Sequence, residues 1–251
     1  MAPGFIDTHL HLEELGDPAE VVAQAAEAGV TRMIAVGVNL EHSRRAVELA
    51  TAHNAVWAGV GHYPTEEAAP DLDALRGLAL NPRAVAIGEV GLDFDHGDVS
   101  RQEQIARLDA LFTLAAELDV PVSIHDRGAA TEVAELIEAH PGLRGVMHYF
   151  ALGWREAEVF LELGFYLSFA GLVTRPSRSE LRDVVKQCPA DRLLLETDSP
   201  YGNAHKRMGV SNRPAYLIDT AELVAELRGM TLDELAHLET ANALALFTRM
   251  K

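Results

Sequence analysis

Short β-rich runs alternate with longer helical patterns from one end of the chain to the other, which restricts the fold to repeated βα units around a parallel sheet. Eight strands are predicted: Gly4 to His9, Thr31 to Val38, Val56 to Gly61, Ala84 to Val90, Pro121 to His125, Gly145 to Tyr149, Phe165 to Ala170 and Arg192 to Thr197. Between them, Pro18 to Ala28, Gln102 to Leu118, Ala130 to Ala139 and Ser179 to Gln187 carry apolar residues at helical spacing. Eight such units match a TIM-like (β/α)8 barrel, whose active sites lie at the C-terminal ends of the strands. After the last strand comes an irregular stretch from Ser199 to Pro214, long enough for an active-site loop. Helices follow over Ala215 to Leu227 and Leu232 to Thr248, with Thr231 and Glu234 spaced as a capping box.

A length of 251 residues with 48% apolar and 24% charged composition suits a single globular barrel domain, and no linker or low-complexity segment divides it. There is no 18-residue apolar stretch and no signal-like start, so a cytoplasmic protein is expected. The one cysteine, Cys188, lies away from every motif and is assigned to packing. A formal charge of −17, with lysine only at Lys186, Lys206 and Lys251, excludes a broad electrostatic grip on DNA. A polyanionic substrate must then be held locally, by arginines and by bound cations.

Asp7, His9 and His11 occupy alternate positions where the first apolar run ends. On a strand, His9 and His11 project the same way, roughly 7 Å apart at Cα, and can converge on one metal ion. The same pattern recurs: His62, His125, His148 and Asp198 each stand where an apolar run stops, and Glu89 sits within Ala-Ile-Gly-Glu-Val-Gly-Leu-Asp. A lone strand-end histidine is ordinarily a hydrogen-bonded structural residue, but the repetition argues for a shared task around one barrel mouth. His42, His53, His96, His140, His205 and His237 fall in helical or loop contexts and are expected to be solvated.

These segments closely resemble the TatD family of metal-dependent hydrolases, within the amidohydrolase-like barrels. The resemblance rests on Phe-Ile-Asp-Thr-His-Leu-His-Leu, Ala-Ile-Gly-Glu-Val-Gly-Leu-Asp, Pro-Val-Ser-Ile-His-Asp-Arg, Gly-Val-Met-His-Tyr-Phe and Leu-Leu-Leu-Glu-Thr-Asp-Ser-Pro-Tyr, followed by Asn212, Pro214, Asn242 and Phe247. It implies a two-metal site in which His9, His11, Glu89 and Asp198 hold one ion, while Glu89, His125 and His148 hold the other. It also implies that His62 contacts a substrate phosphate; the competing role is a ring that plugs the barrel mouth.

The chemistry of the donor set agrees with that assignment. A carboxylate bridging two ions about 3.5–4 Å apart allows activation of a water and polarisation of the phosphoryl oxygen together, and Glu89 is the expected bridge. Asp198 can ligate through one oxygen and act as general base with the other. Glu196 and Asp7 lie two residues deeper on their strands; Glu196 is expected to position a ligand or the water, and Asp7 to support a ligating imidazole. Arg127 is a phosphate-clamp candidate, with an ion pair to Asp126 as the alternative. The donors, four imidazoles and two carboxylates, suit Zn or Mn better than Mg, although the resemblance implies Mg-supported nuclease activity.

Three segments depart from the family pattern: His125-Asp126-Arg127-Gly128-Ala129, Tyr149-Phe150-Ala151-Leu152-Gly153, and Met208-Gly209-Val210-Ser211-Asn212-Arg213-Pro214, the last lacking an expected arginine and lysine. Lys206, Arg207 and Arg213 are available to compensate as substrate contacts. The resulting expectation is a metal-dependent phosphodiesterase, a 3′-to-5′ exodeoxyribonuclease with DNA as substrate. Hydrolysis of a carbonyl compound, such as an amide, a lactone or a D-aminoacyl ester on tRNA, is the alternative, because an activated water attacks carbon as readily as phosphorus.

Overall fold

The computed structural model describes residues 4–250. Eight parallel strands pair in strict chain order: β1 (Phe5–Leu10), β2 (Val30–Val36), β3 (Val56–Val60), β4 (Ala84–Asp93), β5 (Val122–Arg127), β6 (Gly145–Met147), β7 (Tyr166–Phe169) and β8 (Leu193–Leu195). Helices α1 (Pro18–Glu27), α2 (Leu40–Ala52), α3 (Leu72–Ala79), α4 (Arg101–Leu118), α5 (Ala130–Ala139), α6 (Trp154–Glu162) and α7 (Ser179–Gln187) fill the seven crossovers, and α8 (Leu217–Arg228) and α9 (Leu232–Leu246) follow β8. The result is a nearly closed TIM-like barrel, as the alternating pattern predicts. Among the described residues no helix is long and apolar enough to cross a membrane.

The helices start where their sequences supply acceptors. Asp17, Asn39, Asp71 and Ser100 each take a backbone N–H of the first turn of α1, α2, α3 and α4, and Thr231 with Glu234 forms the full capping box of α9. Each such cap contributes about 1 kcal/mol. Strands in a barrel are covered on both faces, so β1, β3 and β4 are buried along their whole length. A large apolar layer between sheet and helices includes Phe112, Phe160, Leu167 and Leu195. A smaller cluster joins Ile6, Ile34, Trp57 and Val85 to Leu246, Phe247 and Met250, and Arg249 donates to the carbonyls of Ala79, Ala84 and Leu118, so the chain's end closes the N-terminal side of the barrel. Cys188 is buried, in keeping with a packing role.

Strand ends differ from expectation where function is concentrated. β4 runs three residues past Val90 and delivers Asp93 to the mouth. β6 stops at Met147, because Tyr149 takes a left-handed backbone with φ 47°. β8 stops at Leu195, because the next residues turn toward the first strand instead of continuing the ladder. There the barrel closes through single bonds: Asp198 N donates to His9 O at 2.9 Å, His11 N to Ser199 O at 2.8 Å, and Thr8 Oγ1 to Leu195 O at 2.9 Å. Asp7 belongs to this seam, accepting from Thr197 N at 2.9 Å and Thr197 Oγ1 at 2.5 Å. The expectation that Asp7 supports a ligating imidazole is therefore corrected: its carboxylate joins the first and last strands, and burial pushes its pKa up to about 8 against the lowering effect of the Thr197 bonds.

Candidate metal centre

Glu89 sits on β4 with its backbone against Gly61, where a Cβ would lie 2.3 Å from Glu89 O and 2.4 Å from Glu89 N. Only glycine at that position lets the chain leaving β3 lie directly against the Glu89 backbone. Around it four imidazoles converge. His9 Nε2 lies 3.4 Å and His11 Nε2 3.8 Å from Glu89 Oε2; His125 Nδ1 lies 3.3 Å and His148 Nε2 3.1 Å from Glu89 Oε1. Each carboxylate oxygen thus serves one pair of imidazoles. Asp198 joins the Oε2 side, its Oδ1 at 3.5 Å from His11 Nε2 and 3.9 Å from His9 Nε2.

The spacings fit an ion between the donors. Two ligands each 2.0–2.2 Å from a tetrahedral metal are about 3.4 Å apart, longer than a strong hydrogen bond. Ligand atoms of His9, His11 and Asp198, and likewise of His9, Glu89 and His148, all fall within 4.8 Å of one another. His9 Nε2 is buried with no hydrogen-bond partner, a vacancy in bonding that a cation would fill.

Three of the imidazoles are held from behind through the nitrogen that does not face Glu89. Ser123 Oγ lies 3.2 Å from His9 Nδ1, and Glu196 Oε1 lies 3.2 Å from His148 Nδ1 while also accepting from Tyr149 N at 2.7 Å. His125 Nε2 meets Tyr63 Oη at 3.2 Å and Asp93 Oδ2 at 3.5 Å. Asp93 is itself fixed by the backbone N–H groups of Asp95 and His96, each at 3.1 Å. Such outer contacts set which ring nitrogen is left for a metal. Asp93→Asn is expected to weaken metal affinity by about 10- to 100-fold, the usual cost of losing an outer partner, as read by competition with a chromogenic chelator.

Electrostatics follow from burial and these contacts. Burial alone would raise Glu89, but His148, His125 and His9 hold its pKa well below the usual carboxylate range. Burial lowers His9 to about 4, helped by His148, whose ring stacks on it at 3.8 Å. His11 is held up at about 9, the Asp198 and Glu89 carboxylates outweighing burial. His148 is held well above the ordinary imidazole range, against burial, by Glu89 and Glu196. The carboxylates thus favour positive charge on His11 and His148, while burial keeps His9 neutral.

The predicted ligands His9, His11, Glu89, His125, His148 and Asp198 all come together here, with Glu196 directly behind His148. The other predicted site residues do not join them. His62 is buried, its Nε2 unpartnered, and after burial the charges that act on it are those of Arg107 and Glu66. Its neighbour Tyr63 reaches the centre instead. Arg127 Nη1 lies 3.1 Å from His96 Nδ1, and Asp126 accepts from Ala129 N instead of pairing with Arg127. Lys206 pairs with Asp219 and Glu222, both at 3.0 Å, and Arg207 pairs with Asp219 at 2.7 Å and covers the Tyr216 ring. Arg213 donates to Gln24 Oε1 at 2.8 Å. His140 is not solvated as expected: it packs edge-on against Phe112 and bonds Leu136 O.

Sequence reasoning missed Tyr63, Asp93 and Ser123. Asp93 carried a signal, since it ends the Gly-Leu-Asp of the Glu89 segment, and so did Ser123, two residues deeper than His125 on its strand; Tyr63 carried none beyond adjacency to His62.

The family model described as TatD related DNase matches residues 6–248. An uncharacterised metal-dependent hydrolase of Bacillus subtilis, YabD, is 36% identical over 97% of this chain and 98% of its own length. The 3′-5′ ssDNA/RNA exonuclease TatD of Erwinia amylovora is 37% identical over 92% of this chain and 93% of its own. The crystal structure of the TatD homologue YJJV from Escherichia coli superposes with a TM-score of 0.92 at 31% identity, covering 99% of both chains. With a family match over nearly its whole length and full-length relatives above 30% identity, the chain belongs to the TatD-related DNase family of metal-dependent hydrolases.

Proposed function

We propose that this hydrolase cleaves phosphodiester bonds at a dinuclear centre, as an exonuclease that removes nucleotides from the 3′ end of single-stranded DNA. The observation that carries this reading is the division of Glu89, with His9, His11 and Asp198 gathered at Oε2 and His125 and His148 at Oε1. In this reading Glu89 would be the residue shared by two divalent ions, with Zn or Mn best suited to the imidazole-rich donors. Such ions supply a water acidic enough to ionise near neutral pH and a positive charge on the phosphoryl oxygen.

The chain's own residues do the rest. Asp198, with 15% of its side chain exposed, is the most open of the carboxylates that face the imidazoles, so its free oxygen can accept the proton of the attacking water. Glu196, wholly buried, keeps His148 oriented and contributes no contact to substrate. Tyr63 and Asp93 keep His125 in one tautomer. The likeness to the Erwinia enzyme, named as an exonuclease on ssDNA and RNA, supports a nucleic-acid substrate and the direction of attack.

One observation favours a neutral substrate instead. Lys206 and Arg207 are already neutralised by Asp219 and Glu222, on a chain of net charge −17. The carbonyl-hydrolase alternative is tested together with the nuclease. Metal-reconstituted protein is assayed on single-stranded DNA and on neutral amides and lactones: shortening of the DNA from its 3′ end is expected, and turnover of an amide or lactone with intact DNA would replace the nuclease reading.

A further inference from the structure

Lys206 and Arg207 are ion-paired with Asp219 and Glu222, while Arg213 and Arg127 keep their charge against Gln24 and His96, and the loop leaving β7 carries two further cations. Arg175 and Arg178 lie between β7 and α7, on the face where the strands end. Arg182 fixes this loop by donating to the carbonyls of Val173, Thr174 and Arg175, and Arg178 N donates to Arg175 O at 3.0 Å. It is also tied to the loop that leaves Asp198. Thr174 Oγ1 accepts from His205 N at 2.6 Å, and Gly171 packs so closely that a Cβ there would lie 2.3 Å from Gly202 O and Ala204 N.

Gly202, against which Gly171 packs, in turn stands against the centre: a Cβ there would lie 2.9 Å from Tyr149 Cε2 and 3.2 Å from Asp198 Cβ, and Tyr149 directly follows His148. Among the described residues neither the Arg175 nor the Arg178 guanidinium forms an ion pair or a side-chain hydrogen bond, and Arg175 Nε is buried without an acceptor. A guanidinium N–H shielded from water and left unpaired costs free energy that an incoming anion would recover. Its planar fork matches a phosphate.

We propose that Arg175 and Arg178 form a phosphate subsite that holds the nucleotide next to the scissile bond. This rests on the nuclease reading above. The metals and Asp198 then serve the reacting phosphate, and the β7 loop supplies the local positive charge that the acidic surface lacks.

Arg175→Ala, Arg178→Ala and the double variant, each checked for an unchanged thermal midpoint, are compared with wild type on a single-stranded oligonucleotide and on bis(p-nitrophenyl) phosphate, a diester with one phosphate. The double variant should raise KM for the oligonucleotide about 10-fold or more while leaving kcat and the small diester within about 2-fold. Binding of labelled oligonucleotide, followed by anisotropy with Ca²⁺ in place of the active metal, should lose about 1.4 from its salt slope, roughly 0.7 per contact. Arg175→Lys, which keeps the charge, should recover part of the affinity. Equal losses on both substrates, or an unmoved salt slope, would overturn the subsite while the nuclease stands. A wild type that cleaves the small diester and no oligonucleotide overturns the nuclease reading and the subsite together.

Discussion

Glu89→Ala is expected to lower metal content on both sides of the centre at once and to cut hydrolysis by about 10³-fold or more, since Lewis-acid activation is worth several kcal/mol. The reason is geometric. Both carboxylate oxygens are committed, one to His9 and His11 and one to His125 and His148, so a single truncation unmakes two coordination sets. His148→Ala removes a donor from the Oε1 side alone and should empty chiefly one site. Elemental analysis of the two variants beside wild type distinguishes them. Unaltered metal content in Glu89→Ala would remove its bridging role.

Asp198→Asn should cost at least about 10²-fold in the single-turnover rate, the low end for general-base catalysis, with a smaller loss of bound metal. Asparagine suits this position unusually well as a probe. Asp198 has φ 56°, a left-handed conformation that asparagine tolerates, so the substitution removes a basic oxygen without straining the backbone. A near-normal rate at saturating metal would leave Asp198 a ligand and nothing more.

The barrel and the ring of polar residues at its mouth were legible in the sequence because both follow short-range rules, whereas their division between two ions came from the family resemblance. Apolar runs interrupted by helical periods mark the strands, and polar residues that end such runs must lie at one mouth. What required the structure was contact across the ring. Asp7 shares the strand of His9, and strand periodicity alone suggested that it backs an imidazole; its partner Thr197 is 190 positions away in the chain and becomes a neighbour only on closure. Asp93 was hidden by ending β4 at Val90. Tyr63 was passed over for His62, because a histidine at a strand end reads as functional while the phenol beside it does not. Lys206 and Arg207 looked available because Asp219 and Glu222, which neutralise them, lie on α8, beyond that loop.

The seam between the first and last strands gives the centre a mechanical meaning. His9 and His11 come from one side of that gap and Asp198 from the other, and only a few bonds cross it between them. An ion held by those three side chains would be a clasp on the barrel, closing the ring where the sheet ladder does not. Holding the ion and keeping the ring shut would then be one equilibrium, and resistance to unfolding is expected to rise with the free concentration of the metal.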